Sequence, residues 1–245
     1  MLWAYLDDSG LRAKGQKNGP LVRYALGGGV ATVEVWDVLK PQWQARLHDP
    51  SNPSKIEWFH YTEWKGAYLG HAKQGDLFYG WNKSQLVALL SDLTRIISKK
   101  KVDYFCASVP VVQSKRQVRD SYKEVITQVI NRADELADRV NPSEQISFML
   151  SMHAELAGIR IQEYFERLRV LSNRRAYCFI GDPRVEPALQ AADLIANEMA
   201  SSRFMRLSWG PKFRMPVITK MMQLLKQEPP FHHMIEYHLH DEKDE

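Results

Sequence analysis

The sequence predicts an α/β fold, a mixed sheet flanked by helices. Two observations carry this. Short apolar runs bounded by turn residues recur along the chain, and in its later part they alternate with segments of helical periodicity. Of the 245 residues, 44% are hydrophobic, which suits a globular core and excludes a disordered or fibrous chain. That length fits one domain, or one domain with a helical insertion.

Met1–Asp7 reads as the first strand, stopped by a turn at Gly10. Val22–Gly28 reads as the second. Gly27, Gly28 and Gly29 then suggest a tight strand-to-helix turn; they lack the Gly-Lys-Ser/Thr ending of a phosphate loop. Glu34–His48 is expected to be helical with an interruption at Pro41. Ile56–Tyr61 reads as a third strand that delivers His60, and Lys65–Trp81 as irregular chain. Ser84 is expected to cap a helix reaching about Lys100, with Leu86, Leu89, Leu90, Leu93, Ile96 and Ile97 on its apolar face. Val102–Val111 follows as a core strand. A long helix from Lys115 to Val140 is stopped by Asn141-Pro142. The pattern then predicts a strand over Ile146–Met152, a helix over Glu155–Leu171 and a last strand over Arg175–Ile180. An Ala-rich amphipathic helix closes the domain from Val185 to Arg206, with Leu189, Ala192, Ile195, Ala196 and Met199 as its packed stripe. The division is one domain over 1–206 and an extension over 207–245 packed on it.

Two acidic segments stand out. The first strand runs into Asp7-Asp8-Ser9-Gly10, which delivers two carboxylates to the edge of a core. Burying such charges is costly unless something compensates, and a divalent cation is one compensation. Solvated turn formers are the competing reading, because Asp-Ser-Gly is common turn chemistry. Near the end, Asp193 sits in the apolar run Leu189-Gln190-Ala191-Ala192-Asp193-Leu194, on one helix face with Gln190. Asp is rarely buried without a partner. Its competing reading is a polar-face residue beside the apolar stripe. Asp182, in the turn before this helix, is the reserve candidate for the role of Asp193.

YLDDSG at the start, FHYTEW in the first third and LQAADLIANE near the end occur in that order and at those distances. This set resembles the bacterial and phage family called domain of unknown function 3800, whose members look like ribonuclease H-like proteins. The resemblance spans Met1 to about Ser201. Family members usually open with Asp-Glu-Ser-Gly, so Asp8 stands in the place of a Glu. His60 and Glu63 match a His followed by an acid, and Ala192-Asp193-Leu194 matches the closing helix. The family often carries an acid at the end of a middle strand. Here Leu150 or Ser151 occupies that place, with His153 and Glu155 shortly after as substitutes. The resemblance implies a ribonuclease H-like sheet, with early antiparallel strands and later crossovers.

Function follows from these residues. The resemblance implies a metal-dependent nuclease that hydrolyses phosphodiester bonds with Mg²⁺ or Mn²⁺. Two such ions about 3.5–4 Å apart activate a water and neutralise the leaving oxygen. Asp7 would bridge them, Asp193 would complete one and Asp8 or Glu63 the other, with Asp7, Glu63 and Asp193 as the metal set. His60 would orient a phosphate or assist the leaving group. The alternative is a catalytically inactive ribonuclease H-like module that binds nucleic acid or protein; the missing acid at Leu150/Ser151 supports it.

The partner is expected to be nucleic acid. The net charge is a modest +4, but Arg203, Arg206, Lys212 and Arg214 surround Phe204, Trp209 and Phe213. Basic side chains among aromatics can follow a phosphate backbone and stack bases; solvated helix ends are the competing reading. Glu236, His238 and His240 would share one side of an extended tail, which reads as an edge strand before a zinc site. No apolar run approaches the ~18–20 residues of a membrane span, and the early acids exclude a signal peptide. Cys106 and Cys178 read as buried thiols in core strands, in a reducing, cytoplasmic compartment.

Overall fold

The computed structural model describes residues 1–12, 21–99, 102–110, 115–140, 143–151 and 177–197. The elements are β1 (Leu2–Arg12), β2 (Leu21–Thr32), α1 (Val33–Leu47), α2 (Tyr61–Tyr68), α3 (Lys83–Ser98), β3 (Asp103–Pro110), α4 (Lys115–Val140), β4 (Ile146–Ser151) and β5 (Tyr177–Gly181). A further helix, α5, has 187–197 as its described residues. The five strands form one mixed sheet in the order β3-β2-β1-β4-β5. β1 pairs antiparallel with β2 and β2 with β3, whereas β1–β4 and β4–β5 are parallel. This early meander followed by crossovers is the mixed α/β sheet, flanked by helices, that the sequence predicts.

Side chains alternate across the sheet, and the two faces have separate cores. Leu2, Ala4 and Leu6 of β1 join Ile146, Phe148 and Leu150 of β4 on one face. α4 covers that face with Val125, Ile126, Val129, Ile130, Ala133, Leu136 and Ala137, a single stripe at helical spacing. Tyr5 belongs to the other face, under Trp36, Leu39, Trp43 and Leu47 of α1, the leucines of α3 and Ala188, Leu189, Ala192 and Ile195 of α5. None of the helices among the described residues is long and apolar enough to cross a membrane.

Several sequence expectations need correction. β1 does not stop at Asp7: it continues through Ser9 and Gly10 because β2 pairs with it as far as Arg12. Gly27, Gly28 and Gly29 lie inside β2 and make no turn, since they pair with Asp7, Leu6 and Tyr5 on one side and with β3 on the other. Their lack of side chains is a matter of space. A Cβ on Gly28 would fall 1.9 Å from the Tyr5 carbonyl oxygen.

Ile56–Tyr61 is not a strand; α2 begins at Tyr61 and runs to Tyr68, into the stretch read as irregular. The N–H groups that a strand would pair with a neighbour are taken by side chains of α5 instead. α1 runs unbroken through Pro41, which occupies an exposed position. The cap of α3 is Asn82, not Ser84: Asn82 Oδ1 accepts from the Gln85 N–H, and Gln85 Oε1 accepts from the Asn82 N–H. Cys106 and Cys178 are half-buried, not buried, and their strands β3 and β5 are the opposite edges of the sheet. The expected helix over Glu155–Leu171, His153, Glu155, the basic segment Arg203–Arg214, the histidine tail and the extension over 207–245 lie outside the described residues.

Candidate carboxylate site

Pairing between β1 and β4 runs from Leu2↔Ile146 to Leu6↔Leu150. Asp7 is the first β1 residue beyond it, at the carboxyl end of the parallel pair. Alternation places Asp7 with Tyr5 and Ser9, on the face covered by α5. Ser151 is likewise the first β4 residue beyond that pairing, and alternation puts it on the same face as Asp7. Its hydroxyl is buried and has no hydrogen-bond partner among the described residues.

α5 starts where its sequence says it should. Pro187 has no N–H to lose at the first helical position, and Glu186 Oε1 accepts from the Ala188 N–H. The alanines 188, 191, 192 and 196 let the helix settle low over the sheet. Gly27, opposite Asp7 in β2, completes the fit: a Cβ there would come 3.1 Å from Ala196 Cα. The helix carrying Asp193 thus passes close over the strand position that faces Asp7.

Asp7 and Asp193 are each 4% exposed. Asp7 Oδ1 accepts from the Asp8 N–H at 2.9 Å. Asp193 Oδ1 accepts from Asn197 Nδ2 at 2.6 Å, and Asp193 Oδ2 from the Tyr61 N–H at 2.8 Å. Ser9 donates to Asn197 Oδ1 at 3.1 Å, which ties β1 to the same helix turn. One turn earlier, Gln190 Oε1 accepts from both the Phe59 N–H and Trp43 Nε1, each at 2.9 Å, while Gln190 Nε2 donates to the Pro183 carbonyl. Gln190 and Asp193 therefore hold the N–H groups of Phe59 and Tyr61, two residues apart on extended chain. That is how the segment carrying His60 is fixed without a sheet neighbour.

His60 caps α2 with extended backbone, and its Nδ1 lies 3.3 Å from Glu63 Oε1. Glu63 also accepts from the Leu77 N–H at 3.4 Å. About a third of each side chain is accessible. Asp182 is engaged elsewhere: Arg184 grips it through Nε and Nη2, and this contact holds its carboxyl below the usual range. Beside the site, Lys40 Nζ donates to Tyr5 Oη at 2.9 Å and to Glu186 Oε2 at 3.1 Å. Burial raises the Tyr5 phenol above its ordinary value, against the pull of Lys40.

The structure thus places Asp7 on the sheet face that the helix of Asp193 covers, with His60 and Glu63 on the segment tied to Asp193; Asp8, expected to act beside Asp7, is turned to the opposite face of the sheet by strand alternation. Among the described residues, no group of three or more His, Cys, Asp or Glu side chains is arranged to hold a metal ion. The substrate-binding candidates Arg203, Arg206, Lys212 and Arg214 fall outside the described residues. Ser9, Asn197 and Trp58 were not singled out by sequence reasoning. The FHYTEW and LQAADLIANE segments contain Trp58's neighbours and Asn197, but nothing local marks them as mutual partners.

No family model and no curated protein matches the chain. A chain of the solved structure described as the PCNA:RNase HII complex from Archaeoglobus fulgidus is similar to it at 13% identity, over 98% of this chain and 96% of that one, with a TM-score of 0.42.

Proposed function

We propose that this protein is a divalent-metal-dependent phosphodiesterase acting on nucleic acid, related to the family called domain of unknown function 3800. The observation that carries the reading is the burial of two acids: Asp7, just beyond the end of the β1–β4 pairing, and Asp193, on the helix that covers the same sheet face. The donor set fits a hard cation in kind: two carboxylates, the Asn197 side-chain carbonyl and the hydroxyls of Ser9 and Ser151 are all oxygens. A bound Mg²⁺ or Mn²⁺ supplies an activated water and neutralises charge on the leaving oxygen. Asp7 and Asp193 would hold the cation, and Glu63 would complete its ligands. Glu63 orients the His60 ring through Nδ1, which turns Nε2 to the task of contacting a phosphate oxygen. Asn197 fixes the Asp193 carboxylate, so that it needs no reorganisation to serve as a ligand.

A second reading is a ribonuclease H-like module that binds nucleic acid or protein without turnover. Ser151 in the place of a middle-strand acid favours it, as does the engagement of both Asp193 oxygens by the protein itself.

Calorimetric titration of Mn²⁺ into the protein and into Asp7→Asn separates the two. The phosphodiesterase reading expects binding that Asp7→Asn abolishes, together with Mn²⁺-dependent cleavage of a labelled oligonucleotide lost in the same variant. Absence of Mn²⁺ binding, or cleavage that survives Asp7→Asn, overturns it.

A further inference from the structure

The extended segment before α2 alternates. Phe59 and Tyr61 turn inward and are fully buried, whereas Trp58 and His60 turn outward and are only half-buried. The two outward rings are stacked on each other, with centroids 5.3 Å apart and planes inclined by 19°. Part of this aromatic surface is left outside the core. It is also rigidly placed. Gln190 and Asp193 grip the backbone on either side of it, at Phe59 and Tyr61. The Asp193 carboxylate that holds the Tyr61 N–H is one of the two acids of the candidate site. A pair of stacked rings is therefore fixed next to the carboxylates by two hydrogen bonds of 2.8–2.9 Å. Lys65, one turn into α2, places its ammonium group 5.9 Å from the Tyr61 ring centroid, beside the same segment.

We propose that Trp58 and His60 form a stacking platform for an unpaired nucleobase, which makes single-stranded nucleic acid the ligand of this site. The inference rests on the reading of the site as one that takes nucleic acid. Its physical basis is that every base has a π-face, so a flat aromatic pair accepts any base without reading its edge. A duplex offers no such face, because its bases are already stacked on one another. The platform thus selects single strands, or the splayed end or bulge of a longer nucleic acid.

The test is an anisotropy titration of a labelled oligothymidylate in EDTA, so that binding is read without any metal. Three probes are compared: the oligothymidylate, an abasic sugar–phosphate strand of equal length and a duplex. The expected result is tighter binding of the base-bearing single strand than of the other two. Trp58→Leu should weaken that binding by about tenfold, the size of one lost base–aromatic stack, and bring it level with the abasic strand. Trp58→Phe should restore most of the loss, since it keeps a ring. Urea denaturation of both variants shows whether they are folded. The proposal is overturned if the abasic strand or the duplex binds as well as the oligothymidylate. It is also overturned if folded Trp58→Leu binds unchanged, or if Trp58→Phe, folded, behaves like Trp58→Leu. These outcomes are independent of the catalytic reading. If Mn²⁺ binds and Asp7-dependent hydrolysis of bis(p-nitrophenyl) phosphate is seen while no strand binds, the platform fails and the metal site stands. If the platform pattern appears without Mn²⁺ binding, the platform stands and the phosphodiesterase reading fails.

Discussion

The Asp193 carboxylate accepts the Tyr61 N–H at 2.8 Å, across 132 residues of sequence. It is a potential cation ligand that also serves as a structural clamp. The two roles can be separated by substitution. Asp193→Asn keeps an oxygen for Tyr61 and removes the charge, whereas Asp193→Ala leaves the buried Tyr61 N–H without its acceptor and the Asn197 amide with the main-chain carbonyl of residue 193 alone. Asp193→Ala should cost about 2–3 kcal/mol of stability and Asp193→Asn less, by urea denaturation. Both should lose Mn²⁺ binding.

Gln190 is a purely structural counterpart on the same helix face. Its side chain satisfies Phe59, Trp43 and the Pro183 carbonyl at once. Gln190→Ala strands two buried donors and should destabilise by about 2–4 kcal/mol. Its Mn²⁺ affinity in the folded fraction should stay within a few-fold of the parent. A loss of metal binding as complete as that of Asp7→Asn would mean that Gln190 does more than hold the backbone.

The glycines of β2 make a graded prediction. Gly28→Ala drives a methyl group into the main chain of β1 and should cost about 3 kcal/mol or more. Gly27→Ala meets Ala196 Cα and Cys106 at 3.1 Å, which a small shift can relieve. It should cost less, yet it lifts α5 off the strand that carries Asp7. Melting curves should rank Gly28→Ala as the more damaging, and Mn²⁺ titration should show weakened binding in Gly27→Ala.

Ser151 tests the missing acid. Its buried hydroxyl, like Asp7, lies one residue beyond the last β1–β4 pair. Ser151→Ala should be neutral or slightly stabilising, because it removes a buried polar atom with no described partner. Ser151→Asp should lower metal-free stability by adding a third buried charge and should tighten Mn²⁺ binding. At a hundred times its Kd, Mn²⁺ adds about 2.7 kcal/mol by linkage, which a thermal shift detects. Ser151→Asp with unchanged Mn²⁺ affinity would place the cation away from the end of β4.

Alkaline stability follows from Lys40 and Tyr5. Both groups have folded values raised above the ordinary 10.5 and 10.0. For Lys40, burial opposes the shift, and the contacts with Tyr5 and Glu186 overcome it. For Tyr5, burial of the phenol is the largest cause. A raised folded value contributes stability that is present below the unfolded value and is lost as pH rises through the folded one. Denaturation midpoints should therefore fall from about pH 10 upward. Tyr5→Phe should flatten that fall, and a midpoint profile identical to the parent would refute the linkage.

How far the sequence spoke depends on where each partner lies. The leucines of α3 and the stripe of α4 are local patterns, and both helices are where periodicity puts them. The shared face of Gln190 and Asp193 was legible for the same reason, as was the strand-and-helix alternation behind the sheet. Ile56–Tyr61 was misread because its apolar residues resemble a strand; what decides its structure is a pair of side chains about 130 residues later. The Gly27–Gly29 triplet was misread because glycine signals both turns and close approach, and only the position of α5 and Tyr5 distinguishes them. The burial of Asp7 and Asp193 matches the sequence expectation of acids in apolar contexts. The Ser9–Asn197 link between their elements has no local signature.

The clamps at Phe59 and Tyr61 also bear on the order of events during folding. β1 and β2 pair from Arg12↔Leu21 onward, a small sequence separation, so they meet early at little entropic cost. The contacts of Gln190 and Asp193 close loops of 131 and 132 residues and are rewarded only after the intervening chain has compacted. A nascent chain that has not yet supplied α5 has neither its second acid nor a fixed aromatic pair. A site built on Asp193 and the clamped segment therefore assembles late, after nearly two hundred residues have been made.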